Sequence, residues 1–347
     1  MSKVIRTKWL LLLVVLVLSF LVACGDASEV DQEVEDEVDN GDEVEEEANQ
    51  SEKSDSLVIG FSQVGAESEW RTANTQSIQD AIADAGHDLQ FSDAQQQQQN
   101  QIMAIRSFIS QGVDAIVFSP VVETGFETVL QEAKDAEIPV FLVDRAVDID
   151  DDSMWVTFLG SDFVEEGRKA GRWLVDELAD VEGDINIVEL QGTVGSAPAI
   201  DRKEGFEEII ADHPQLTITQ SQTGNFTRTE GKEVMEAFLR SDGDNIDVLY
   251  AHNDDMAIGA IQAIEEYGLK PAEDIIVIGV DAVKGAFEAM VAGKMNVTIE
   301  CNPQFGPQLV ELIEAHFAGE ELPKRIAVEE DMYTMDQAAD LIDSRTY

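Results

Sequence analysis

Leu57-Val58-Ile59-Gly60-Phe61-Ser62 opens the part of the chain that folds. The run is too short for a helix and almost wholly apolar, as a strand buried on both faces must be. Helical spacing follows over 69–85 and stops at Gly86, a residue suited to a helix C-cap. The same alternation continues: strands are expected at 87–91, 113–118, 139–143 and 154–159, with helices at 97–111 and 124–135 between them. It resumes with helices at 163–180, 197–211, 228–240, 254–267, 283–292 and 304–318, separated by strands at 184–190, 215–221, 246–250, 274–280 and 295–300. Apolar strands alternating with amphipathic helices predict α/β architecture with parallel sheets covered on both faces. Ten strands are many for one compact sheet, so two doubly wound lobes of similar build are the economical reading.

Outward from this body the sequence changes character. Lys3, Arg6 and Lys8 precede an apolar stretch, Trp9 to Ala23, too short to span a bilayer and suited to a signal peptide. Leu21-Val22-Ala23-Cys24 resembles a lipobox, which implies cleavage before Cys24 and acylation of that residue; the alternative is a cysteine in an ordinary signal peptide. Residues 26–56 carry fifteen acidic residues and one lysine, with no aromatic ring. Such a segment buries too little apolar area to offset its ordering entropy and is expected to be a disordered tether.

The whole chain of 347 residues has 22 basic and 71 acidic residues, a formal charge of −49. That balance excludes nucleic acid as a partner, because phosphate recognition needs clustered Lys and Arg. Two cysteines, Cys24 and Cys301, exclude a disulfide scaffold. The acidity suits a high-salt medium, where repulsion is screened; an acidic secreted protein of an ordinary habitat is the other reading.

Ligands of doubly wound sheets sit beyond the carboxyl ends of the strands, and polar residues gather there. The first strand leads into Glu67-Ser68-Glu69-Trp70-Arg71, where the Trp70 ring either stacks on a sugar face or anchors the first helix. Asp144-Arg145 ends the strand at 139–143 and offers a two-oxygen acceptor beside a fork of donors, unless the two merely neutralise each other. Gly192 and Gly195 let the next loop turn tightly ahead of Arg202. His252-Asn253-Asp254-Asp255 follows a further strand; Asp254 is a candidate N-cap, and one histidine with adjacent carboxylates makes a poor metal site. Asp281 and Glu300 end the next two strands.

A pair of these carboxylates would suit glycoside hydrolysis. Against it, each lies beside Arg or Asn partners that keep it an ionised acceptor, and no nucleophile elbow, zinc-protease motif or P-loop occurs. Neither a dinucleotide fingerprint nor any other cofactor motif is present. Reversible hydrogen bonding to hydroxyls fits better than catalysis, so neither enzyme activity, a cofactor nor a metal is expected.

Four stretches then point to a family: residues 120–148 (PVVETGFETVLQEAKDAEIPVFLVDRAVD), 188–206 (VELQGTVGSAPAIDRKEGF), 224–238 (GNFTRTEGKEVMEAF) and 251–264 (AHNDDMAIGAIQAI). With them the body resembles the type I periplasmic sugar-binding proteins, the receptors of sugar ABC importers. It looks most like their galactofuranose-binding branch, which shares the Ser62-Gln63-Val64-Gly65, Glu67-Ser68, Trp70-Arg71 opening and the Gln191–Gly195 stretch. The resemblance implies two Rossmann-like lobes, joined by three crossovers, that close on a sugar. It places the first lobe at 57–160 and 301–325, and the second at 161–300 and 326–347. By the same resemblance Trp70 would stack on the sugar beside Glu67, Ser68 and Arg71, with Asp144 and Arg145 binding hydroxyls from the first lobe. Arg202, Asn253 and Asp281 would do so from the second, Phe226 would be a second stacking ring, and Glu300 would lie where a crossover meets the cleft. The ribose branch has Gln and a Phe-Phe pair where this chain has Glu300 and Trp70-Arg71, which argues against ribose. The implied molecule is a monomeric, lipid-anchored extracytoplasmic receptor, with an ABC permease and a monosaccharide as partners. A sensor for a membrane signalling partner and a surface glycosidase are the rival readings. A repressor of the same core fold would need a DNA-binding head where the signal segment stands.

Overall fold

The computed structural model describes residues 56–347; the signal segment, Cys24 and nearly all of the acidic tether lie outside them. The body opens with β1 (Val58–Gln63), α1 (Glu69–Asp84), β2 (Asp88–Asp93), α2 (Gln98–Gln111), β3 (Ala115–Phe118), α3 (Glu127–Asp135), β4 (Val140–Val143) and β5 (Thr157–Gly160). Next come α4 (Phe163–Glu177), β6 (Ile185–Gln191), α5 (Ala197–Ile210), β7 (Leu216–Thr223), α6 (Arg228–Asp242), β8 (Val248–Ala251), α7 (Asp254–Tyr267), β9 (Ile276–Asp281), α8 (Lys284–Val291) and β10 (Val297–Glu300). The chain ends with α9 (Gly306–Phe317), β11 (Arg325–Ala327), β12 (Met332–Thr334) and α10 (Met335–Leu341). No helix among the described residues is long and apolar enough to cross a membrane.

The strands form two six-stranded sheets, ordered β11-β5-β4-β3-β1-β2 and β12-β10-β9-β8-β6-β7. The last five positions of each sheet repeat one doubly wound order and are parallel throughout. The sixth strands differ: β11 joins β5 in parallel, whereas β12 joins β10 antiparallel. The polypeptide passes between the sheets three times, after β5, after β10 and between β11 and β12. Because β11 lies whole in the first sheet, the last passage falls after Ala327, whereas the boundary expected at 325/326 would divide that strand.

The sequence reading missed β11, β12 and α10. The two strands are three residues each and exposed or half-buried, so they leave no apolar run. The strand expected at 154–159 begins only at Thr157, because a single 3₁₀ turn occupies Asp152–Met154.

Burial of large rings holds the layers together. Phe61, Phe118, Phe126, Phe141, Phe206, Tyr250, Phe287 and Phe305 are fully buried, each worth roughly 1.5–3 kcal/mol by area. Phe206 and Tyr250 stack at 4.1 Å. One helix crossing positions a charged pair. A Cβ on Gly167 of α4 would sit 2.2 Å from the Arg202 carbonyl of α5, and one on Gly205 would sit 2.0 Å from that of Val164. Only glycines permit this approach, and it sets Glu166 against Arg202.

Candidate functional site

Between the two sheets lies a small cavity of about 20 Å³, lined by Glu67, Ser68, Trp70, Arg71, Asp144, Arg145, Pro198, Arg202, Phe226, Asn253, Asp281 and Cys301. It is closed over: Trp70, Arg71, Asp144, Arg145, Arg202, Phe226, Asn253 and Asp281 are each at most 4% exposed. Contacts also join the two lobes next to it. Glu69, opening α1, takes Arg228 of α6 at 2.8 Å, and its N–H donates to Asp255 of α7 at 2.8 Å. Farther along, the Glu123 N–H donates to the Gly195 carbonyl at 3.0 Å.

The first lobe supplies its half from the ends of β1 and β4. Ser68 caps α1, accepting the Arg71 N–H at 3.0 Å, and so fixes the helix start that carries Trp70 and Arg71. Arg71 donates to Asp144 at 2.7 Å, Glu67 at 3.0 Å and Gln63 at 3.2 Å. Asp144 also accepts the Ser119 hydroxyl at 2.9 Å. Burial pulls the Arg71 guanidinium down, but Asp144 and Glu67 outweigh it and raise it above the ordinary arginine range. Arg145 fares differently: burial first, then the Arg71 charge, bring it down to about 10. It donates to the Val121 carbonyl at 3.2 Å and lies over the Phe226 ring at 5.3 Å.

Two polar atoms of this half have no hydrogen-bond partner, although both are buried: the acceptor Glu67 Oε2 and the donor Arg145 Nε. Leaving such atoms unpaired costs about 1–3 kcal/mol each. A ligand bearing hydroxyls satisfies both kinds at once, since a hydroxyl donates and accepts.

The second lobe supplies Arg202 from α5, Phe226 ahead of α6, Asn253 at the end of β8 and Asp281 at the end of β9. Arg202 donates to Glu166 at 2.6 Å and the His252 carbonyl at 2.6 Å, and lies 3.7 Å from Asp281. Burial raises the Asp281 carboxyl well above its usual range against the opposing pull of Arg202. Asn253 is committed within its lobe: Oδ1 accepts the Met256 N–H at 3.0 Å, and the amide donates to the Phe226 carbonyl at 3.1 Å. The N-cap of α7 is therefore Asn253, not Asp254, whose carboxylate turns inward to Thr298 at 2.8 Å and the Val283 N–H at 3.1 Å. His252 pairs instead with Glu189 at 3.1 Å and Asp255 with Arg228 at 2.8 Å, so these neighbours in sequence do not converge.

Backbone strain gathers at this cavity. Asp144 has φ of 62°, Phe226 of 64° and Asp281 of 118°, a region that costs residues with a Cβ about 1–3 kcal/mol. Gly195 turns the loop with φ of 81°, as expected. Gly192 serves a different purpose, because a Cβ there would fall 1.9 Å from the Phe226 ring.

The structure brings ten of the eleven expected contact residues to one cavity. Trp70 joins both readings of its ring, lining the cavity while its edge packs on Phe305 and its N–H donates to the Cys301 carbonyl at 2.6 Å. Glu300 is the exception. Its carboxylate points away, to Arg345 at 3.1 Å, Tyr333 at 3.2 Å and Tyr347 at 3.3 Å. Successive strand residues face opposite ways, and it is the next residue, Cys301, that reaches the cavity. Sequence reasoning also missed Pro198, which sits in the first turn of α5, and Glu166, an acid near the start of an amphipathic helix with nothing local to distinguish it.

Comparison with known proteins gives this geometry its context. A family model described as "periplasmic binding protein domain" matches residues 59–321. The galactofuranose-binding protein YtfQ of Escherichia coli K12 is 47% identical over 293 residues, covering 83% of this chain and 91% of that one. A Mycobacterium smegmatis protein solved with β-D-fucofuranose superposes with a TM-score of 0.82 at 53% identity, covering 84% of this chain and 96% of the other. The binding component of the arabinose ABC transporter of Shewanella sp. ANA-3, solved with α- and β-L-arabinofuranose, gives 0.81 at 49% identity, with coverage of 84% and 96%. With its two doubly wound lobes, the chain belongs to the periplasmic binding protein family.

Proposed function

We propose that this protein is the extracytoplasmic receptor of a sugar ABC importer, and that it captures a monosaccharide in its five-membered ring form between the two lobes. Glu67 Oε2 and Arg145 Nε carry this reading: both belong to residues that line the cavity, and both are buried without a hydrogen bond, Arg145 Nε having only the Asp144 carboxylate at 3.6 Å. Relatives solved with fucofuranose and arabinofuranose support the ring form. D-Galactofuranose and close analogues are the candidate ligands. Asp144 takes Arg71 at 2.7 Å and Asp281 lies 3.7 Å from Arg202; in this reading both carboxyls hydrogen-bond the sugar, which leaves unchanged.

Binding proceeds by closure. Sugar hydroxyls replace water against the first-lobe atoms, and the second lobe then swings in with Arg202, Asp281 and Phe226. The ligand stabilises the closed state only by its differential affinity for it. In this reading the lipid on Cys24 and the acidic tether hold a monomeric body near its permease, and the surface acidity suits a salty medium.

Isothermal titration with D-galactose, D-fucose, L-arabinose and D-ribose tests the assignment. Saturable binding of the first three with weaker or no ribose binding is expected; no binding to any of them rejects the carbohydrate reading.

A further inference from the structure

Behind the cavity all three passages between the lobes meet at one cluster, buried except for the half-buried Glu330. Ser161 comes from the first, Cys301 from the second and Glu330 from the third, while Glu166 joins them from the start of α4. One carboxylate oxygen each of Glu166 and Glu330 and the Cys301 sulfur lie within 4.8 Å of one another. Each carboxylate has one oxygen already held. Glu166 Oε2 takes Arg202 at 2.6 Å; Glu330 Oε1 takes the Ser161 hydroxyl at 2.6 Å and the Asn302 N–H at 2.8 Å. Glu166 is 1% exposed, and among the described residues its Oε1 has no hydrogen-bond partner outside the cluster, where the Cys301 thiol and the Glu330 carboxyl lie beside it. Metal-ligating carboxylates are braced in this way, one oxygen tied by a neighbour and the other free for the ion.

The electrostatics agree with the geometry. Glu166 and the Cys301 thiol are buried and Glu330 is half-buried; Arg202 is the cation in direct contact with Glu166, and Asp281 lies 3.7 Å from that same arginine. Lys169 approaches Glu330 at its backbone carbonyl, at 2.5 Å. The outer side of Glu330 opens into a groove lined by Asp162, Glu165, Glu329 and Asp331 with Lys169 as its one cation, a net acidic approach.

We propose that Glu166, Cys301 and Glu330 form a binding site for a thiophilic divalent cation of the Zn²⁺ class, which ties the three interlobe passages together. Thiolate selects such ions over Mg²⁺ and Ca²⁺, and three protein ligands leave a fourth tetrahedral position for water or the Ser161 hydroxyl.

The test is a Cd²⁺ titration of the reduced, chelator-stripped full chain in excess Mg²⁺, which occupies surface carboxylates, reading the ultraviolet thiolate-to-metal charge-transfer band. A band saturating at one equivalent and displaced by Zn²⁺ is expected. It disappears in Cys301→Ser, persists in Cys24→Ser, and needs more than about tenfold higher Cd²⁺ in Glu330→Gln. Should Cys301→Ser fail to fold, the Cys24→Ser and Glu330→Gln results decide. The proposal is overturned if the unmodified chain gives no saturable band, if Cys24→Ser abolishes it, or if Glu330→Gln binds as tightly as the parent. None of these readouts involves sugar, so the sugar reading stands or falls separately.

Discussion

The two halves of the cavity use the same chemistry, an arginine set against carboxylates, and differ in where it is left incomplete: on cavity-lining residues in the first lobe, and behind the cavity, at Glu166 Oε1, in the second. In the second lobe Arg202 has Glu166, the His252 carbonyl and Asp281 around it, and both ends of the Asn253 amide are engaged. In the first lobe Arg71 is well partnered, but Arg145 Nε and Glu67 Oε2 are not. The difference separates two jobs. In the proposed reading the second-lobe half lends rigidity and the first-lobe half is completed by the ligand.

The largest effect that separates them falls on Arg202. Arg202→Met strands Glu166 in the interior, and breaking a buried pair from one side costs about 3–5 kcal/mol. Thermal melting is expected to drop by many degrees along with sugar binding; unchanged melting would place Arg202 with the ligand-completed half. Arg145→Ala is expected to do the reverse. It removes a charge that burial and Arg71 already disfavour, so melting should shift by a few degrees at most while affinity falls roughly 10- to 100-fold, the worth of a charged hydrogen bond. Lost stability with intact affinity would merge the two halves.

A smaller effect concerns pH at the second lobe. Burial, then Glu204, raises the half-buried Asp201 carboxyl to about 6. Its folded value exceeds its unfolded one, so its contribution is full below about pH 4 and is lost as pH rises through about 6. Asp201→Asn should therefore melt higher than the parent at pH 7 and equally at pH 4. A difference of the same size at both values would assign the change to packing instead of charge.

Much of this was legible in the chain. The alternation that starts at Leu57 carries the two-lobed α/β plan, because buried parallel strands must be short and apolar. The strand-end rule then finds Asp144, Asn253 and Asp281 directly, and Arg202 in the helix after the strand. What stayed hidden depends on single-residue register or on tertiary packing. Glu300 and Cys301 differ by one step of the pleat, and which of them meets the cavity is settled by the Arg345 and Tyr333 partners far along the chain. Asn253 and Asp254 compete for one cap, decided by Thr298 drawing Asp254 inward. Glu166 matters only because two glycines let α4 and α5 touch. The positive φ of Phe226 has no signature in residue type, and that of Asp144 and Asp281 only the weak tolerance of aspartate for this region.

A crystal structure with D-galactose or L-arabinose bound tests the central claim most directly. A furanose ring enclosed between the lobes is expected, with sugar hydroxyls within hydrogen-bond reach of both Glu67 Oε2 and Arg145 Nε and with the Arg202 contacts unchanged. A sugar held elsewhere, or one that leaves those two atoms without partners, would contradict it.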